Sequence, residues 1–214
     1  GVFGSEGGKD IKRKVYVGTN IFGELSKGKS LKKALLYYWL RSQSSYDNKT
    51  EYLYFPENTY GYSNKYLSKL FGYGINQVPV MMDELTDTIV ELDYKNSRYK
   101  FGTNYKAGEY VYVDSDDIKK IIDKILEKDK KDGTSILLYI LFVQKYQISK
   151  SKWKFTYKEL SRYLGYSKAN HMDKIKEAIE LLEEIDMIKV SECDGDNCQY
   201  NYKQYKQLNW CKTY

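Results

Sequence analysis

The chain has 214 residues, 42% of them hydrophobic and 30% charged, with a formal net charge of +6; this suits a soluble protein of one large domain or two small ones. One His (His171) and three Cys (Cys193, Cys198, Cys211) are too few for a zinc finger or an H-E-x-x-H site, and His171 has no nucleophile motif beside it. A P-loop nucleotide site is not expected, no secretory pattern appears, and no apolar run is longer than Ser135 to Val143 (SILLYILFV), against the ~18–20 residues of a membrane span. The expectation is a cytoplasmic non-enzyme with no cofactor, no metal site and no membrane partner.

The opening residues, 1–10 (GVFGSEGGKD), are Gly-rich and are read as an expression remnant or disordered lead. Ser30 is placed to cap a helix over Leu31 to Gln43, apolar nearly all round and therefore buried. A polar loop with Asp47, Asn48 and Lys49 leads to a short strand, Tyr52 to Phe55. Ser63 caps a second helix that runs to Phe71 and closes at Gly72. A short third helix is expected from about Pro79 to Thr86, with Pro79 in its first turn, where a missing N–H costs nothing. Ile89 to Asp93 and Arg98 to Phe101 read as strands joined by Lys95-Asn96-Ser97. Ser115 caps a helix whose Ile118, Ile121, Ile122, Ile125 and Leu126 form one apolar stripe.

The order then recurs. Thr134 or Ser135 opens a helix through Val143. Thr156 and Glu159 spell a T-x-x-E capping box for a helix ending at Gly165. Ser167 caps a longer helix with Ile175, Ala178, Ile179, Leu182 and Ile185 on one face. Met187 to Val190 and Gln199 to Tyr205 read as closing strands. Residues also match directly: KYLSKLFGYG (Lys65 to Gly74) with KELSRYLGYS (Lys158 to Ser167), Val15-Tyr16-Val17 with Val111-Tyr112-Val113, and LLYYWL (Leu35 to Leu40) with LLYILF (Leu137 to Phe142). Three matches in one order argue for two copies of one domain.

Helix, strand, helix, turn, helix, hairpin resembles the winged helix-turn-helix proteins, over roughly Ile21–Phe101 and Ile118–Leu208. The resemblance implies an α+β, mainly helical chain with two tandem winged-helix domains, 11–114 and 134–214, joined by the amphipathic helix of 115–133. Two such domains without a sensor resemble plasmid replication initiators. This implies a double-stranded-DNA-binding initiator of a plasmid or phage from a low-G+C bacterium, an origin that the A/T-rich codons of the abundant Lys, Tyr, Ile and Asn also suit. The alternatives are a transcriptional regulator of a mobile element and a winged-helix adaptor in segregation. Partners would be double-stranded DNA and, beyond it, a homodimer mate or a replication or segregation protein.

The candidate DNA contacts follow from that motif. In the second copy they are Lys168, Asn170, His171 and Lys174 at the start of the reading helix, with Lys152 and Lys154 in the basic loop around Trp153. In the first copy they are Ser63, Asn64 and Lys65, then Asn76 and Gln77, then Lys95, Arg98 and Lys100 on the hairpin. Charge favours the first copy: residues 1–107 carry 16 Lys and Arg against 11 Asp and Glu, and residues 108–214 carry 19 against 18. The second hairpin is acidic (Glu192, Asp194, Asp196), with Cys193 and Cys198 flanking its tip. The many Tyr residues are expected in the core or at its rim.

Overall fold

The computed structural model describes residues 14–18, 24–25, 31–102, 109–130, 132–149, 154–166, 172–192 and 208–212. The fold is α+β and mainly helical. Helix α1 (Lys32–Gln43) lies at its centre, and every residue from Ala34 to Ser42 is buried. A helix apolar around most of its circumference can satisfy that surface only inside a core. Strands β2 (Ser45–Asp47) and β3 (Thr50–Tyr54) follow, then α2 (Asn64–Phe71), α3 (Gln77–Thr88), β4 (Val90–Asp93) and β5 (Arg98–Phe101). The four strands form an antiparallel sheet in the order β2-β3-β5-β4. Its inner face carries Glu51, Tyr99, Phe101 and Val90, all buried.

Strand β1 (Lys14–Gly18) pairs with β6 (Tyr110–Asp114), and α4 (Ser115–Glu127), α5 (Thr134–Ser149), β7 (Lys154–Phe155), α6 (Tyr157–Tyr163), α7 (Met172–Glu184), β8 (Ile188–Glu192) and β9 (Leu208–Lys212) complete the chain. The stripe of α4 is buried, and that helix packs on both α1 and α5. The N-terminal ends of α1 and α5 meet at Gly133, whose N–H donates to the Leu31 carbonyl at 2.9 Å. A Cβ at Gly133 would lie 2.8 Å from the Leu35 nitrogen, so this approach admits glycine alone.

The two VYV segments pair with each other. Val15 faces Val113, Tyr16 faces Tyr112 and Val17 faces Val111. Tyr16 and Tyr112 turn their own N–H and C=O groups outward, as the non-hydrogen-bonded pairs of an antiparallel ribbon do. Side chains occupy both outer edges. Arg41 donates to the Tyr16 carbonyl, while Glu51 accepts from the Tyr16 N–H at 3.2 Å and from Arg41. On the other edge one amide does both tasks: Gln147 accepts from the Tyr112 N–H at 3.1 Å and donates to its carbonyl at 2.7 Å.

Several expectations need correction. Helix α3 runs over twelve residues, longer than read from the sequence. Pro79 is its third residue, where the N–H has no intrahelical partner to lose. The expected polar loop at Asp47 contains strand β2, because Asn48 and Lys49 adopt positive φ (45° and 61°) and close a tight hairpin. Helix α5 extends to Ser149. Ser115 is the first residue of α4 rather than its cap, which is Asp114. The second closing pair is no hairpin: β9 runs parallel to β8 and to β7, a pairing that needs a crossover connection. The strand expected at 199–205, and the caps expected at Ser30 and Ser167, lie outside the described residues.

Candidate functional site

The site grows from a Tyr-rich stretch between β3 and α2. Alternation along β3 sends Tyr52 and Tyr54 to the outer face of the sheet and Glu51 inward. Tyr52 is opposite Lys100 and Glu91 is beyond it; Tyr54 is opposite Arg98 and Asp93 is beyond it. The rings of Tyr52 and Tyr54 meet edge to face with centroids 5.0 Å apart. Partial burial and the neighbouring Tyr54 raise the Tyr52 phenol above its ordinary pKa.

Ser63 starts α2 and its hydroxyl accepts from the Tyr66 N–H at 3.1 Å. This fixes the first turn, so Tyr62 and Tyr66 stack with centroids 5.7 Å apart. Trp39 of α1 supports Tyr62 edge-on at 5.1 Å. The loop before Ser63 is anchored by Tyr99, whose hydroxyl accepts from the Tyr62 N–H at 2.8 Å. Burial pushes the Tyr99 phenol up to about 12. Gly61 permits this approach: its φ is 137°, and a Cβ there would lie 2.5 Å from the Tyr99 hydroxyl oxygen.

Between these supports lies a cleft of about 480 Å³ lined by Tyr54, Pro56, Thr59, Gly61, Tyr62, Ser63 and Tyr66. Tyr54 and Tyr66 are 59% and 49% exposed, so two aromatic faces are offered to a ligand. That volume is within the ~300–1,000 Å³ range of small-molecule sites. Aromatic walls with hydroxyls at the rim suit a planar heteroaromatic ring.

The residues singled out in the sequence are not gathered into one surface. Ser63, Asn64 and Lys65 stand at the start of α2, beside the cleft, and Asn64 and Lys65 are exposed. Arg98 and Lys100 lie on the outer sheet face but are compensated: Arg98 Nε donates to Asp93 at 2.9 Å, and Lys100 is 3.5 Å from Glu91. Lys95 is exposed in a 3-10 turn (Tyr94–Asn96) between β4 and β5. Asn76 caps α3 without a side-chain bond, and Gln77 accepts from Lys32 at 3.2 Å. Lys152, Lys168, Asn170 and His171 lie outside the described residues, as does the Lys154 side chain. Lys174 stands 5.9 Å over the Tyr166 ring. The acidic side of α7 is bound within the chain, Glu177 by Lys130 at 2.9 Å and Glu184 by Lys124 at 3.3 Å and by Lys128. These lysines hold both carboxyls below their ordinary pKa.

The tyrosine cleft was not anticipated from the sequence. Its signal was there: EYLYFPENTYGYSNKY (Glu51 to Tyr66) alternates Tyr on a strand and then packs Tyr around Pro and Gly.

No known family's sequence profile matches the chain, and no solved structure does. The chain is similar to a guanylate kinase of Clostridium tetani, 23% identical over 159 residues that cover 74% of this chain. The match spans 66% of that relative's length. This likeness is to a nucleotide kinase, and it overturns the reading of the chain as a double-stranded-DNA-binding replication initiator, with its regulator and adaptor alternatives. The pairing of Lys100 with Glu91 agrees with the correction, since a lysine already compensated contributes less to a DNA-backbone surface. The likeness also bears against the expectation of a non-enzyme. Among the described residues no helix is long and apolar enough to cross a membrane.

Proposed function

We propose that the chain binds a purine nucleotide, with its base held in the tyrosine cleft, on a scaffold of two winged-helix units. The carrying observation is the 480 Å³ cleft with Tyr54, Tyr62 and Tyr66 on its walls. The name of the C. tetani relative supplies the ligand class, guanylate. Asn64 and Lys65, in the first turn of α2, are the candidate polar contacts beside the base. The sequence also spells G-x-x-x-x-G-K-S over Gly23 to Ser30 (GELSKGKS), the pattern of a loop that cradles phosphates; this supports a nucleotide ligand and corrects the expectation that a P-loop is missing.

The scaffold reading has its own support. Helix, strand, helix, helix, strand, strand runs over 134–212, and 32–101 has the same order with one more strand, β2, after its first helix. Within each run the same turn recurs. Gly72 and Gly165 take positive φ (68° and 75°), and the following Tyr73 and Tyr166 donate their N–H to Ser68 and Ser161. The units proposed are residues 11–114 and 134–214, with 115–133 between them.

Calorimetric titration of the full chain with GMP and AMP tests the function. Saturable binding at one site is expected, and Tyr66→Ala should weaken it by ~1–3 kcal/mol, the worth of one base–aromatic stack. Absence of binding to either nucleotide, or equal affinity in Tyr66→Ala, overturns the reading. Transfer of phosphate from ATP to GMP would extend the reading from binding to catalysis.

A further inference from the structure

Arg98 is the one arginine on the outer sheet face, and its surroundings aim it. Asp93 accepts from Arg98 Nε at 2.9 Å, and the guanidinium lies 5.0 Å over the Tyr52 ring. Asp93 is itself fixed, since it accepts from the Asn96 side-chain amide at 2.8 Å and from the Asn96 backbone N–H at 3.3 Å. These bonds, the Asn96 amide first and Arg98 next, hold the Asp93 carboxyl below its ordinary pKa, so it stays ionised and keeps the guanidinium in place. Among the described residues the two Nη groups have no hydrogen-bond partner. A guanidinium presents five N–H donors in a planar fork, so most of this fork is unspent.

The fork is beside the cleft. Arg98 and Tyr54 are directly opposite each other on β5 and β3, which sets their Cβ atoms ~4.5–5.5 Å apart on one face. Tyr54 is a wall of the cleft, and its ring touches that of Tyr52, on which Arg98 rests. An arginine oriented by a carboxylate and an aromatic ring, with parallel N–H groups left over, suits a planar or tetrahedral oxyanion. We infer that Arg98 recognises the phosphate of the nucleotide whose base occupies the tyrosine cleft. The site thereby prefers a phosphorylated ligand to a nucleoside. This rests on the cleft being the base site. Lys100, held by Glu91, is one residue pair further along the face and adds positive charge without a second fork.

Titration of the parent chain, Arg98→Met and Arg98→Lys with GMP and with guanosine decides the matter. The parent should bind GMP more tightly than guanosine. Arg98→Met should lower GMP affinity about 10–100-fold, as loss of a charged hydrogen bond does, and leave guanosine binding unchanged. Arg98→Lys should fall between, because a point charge replaces the fork. Unchanged guanosine binding in both variants shows that the cleft has kept its shape. Equal parent affinities for GMP and guanosine, or equal weakening of both by Arg98→Met, overturns the role of Arg98 and leaves the cleft reading standing. Failure of the parent to bind either compound removes the cleft reading first and this inference with it.

Discussion

The segments 63–73 and 156–166 are built alike down to single hydrogen bonds, yet the elements they join are put to different use. Ser63 and Thr156 each cap a short helix by accepting from the N–H three residues on, at 3.1 Å in both cases. Each helix ends in a glycine of positive φ followed by a tyrosine. In the first half the preceding strand is five residues long and sends two tyrosines to an exposed face. In the second half β7 has two residues and joins a parallel sheet. A helical turn is specified by a cap, a glycine and a few apolar positions. A site depends on what the strand and loop beside it carry, and those residues are free to diverge while the turn is kept.

The largest expected effect compares the two edges of the ribbon. Arg41 and Glu51 are both fully buried, so Arg41→Met strands a carboxylate in the core and should cost ~3–5 kcal/mol in urea unfolding. Gln147→Leu, on the neutral edge, should cost only ~1–3 kcal/mol, the penalty of unsatisfied backbone groups. Equal losses would mean that charge has no special part in clamping Tyr16. Next comes Gly61→Ala, which has no counterpart in the second half. It forces a side chain into positive φ and against Tyr99, and should cost ~1–3 kcal/mol and weaken GMP binding in parallel.

Smaller effects sharpen the likeness of the two turns. Ser63→Ala and Thr156→Ala should each lose ~1 kcal/mol, and the two losses should agree within a few tenths of that. The smallest expected change is in alkali. Tyr99 titrates near 12 in the folded chain against ~10 when unfolded. Its neutral form is therefore favoured by folding, and that contribution is complete below pH ~10 and fades as pH rises toward 12. Urea unfolding across that window should fall less steeply with pH in Tyr99→Phe than in the parent. Tyr73 and Tyr139, also raised by burial, keep part of the slope in both.

Much of the helical frame was legible because its signals are local. The Ser63 cap, the Thr156 cap, Gly72, Gly165 and the stripe of α4 all stand where their residues placed them. Pro79 misled, since a proline at the third helical position gives up no bond and does not shorten the helix. The ribbon was half visible: the two VYV segments were seen as repeats, but nothing local says that a repeated strand pairs with its own copy. Strand β2 was missed because Asn48 and Lys49 form a hairpin without glycine. The site was hidden for a different reason. Tyrosine serves the core and the surface equally well, and its role is set by register: Tyr99 faces inward as an anchor, whereas Tyr54, on the paired strand, faces out as a wall. Charge counting placed excess positive charge in the first half without showing that Arg98 and Lys100 already have acidic partners.

Photo-crosslinking of the full chain with 8-azido-GMP, followed by peptide mapping, tests the central claim most directly. The account expects the label on the segment from Tyr54 to Tyr66, and competition by unmodified GMP should remove it. Label that survives competition, or that falls on the second half of the chain, would contradict the assignment of the tyrosine cleft as the nucleotide site.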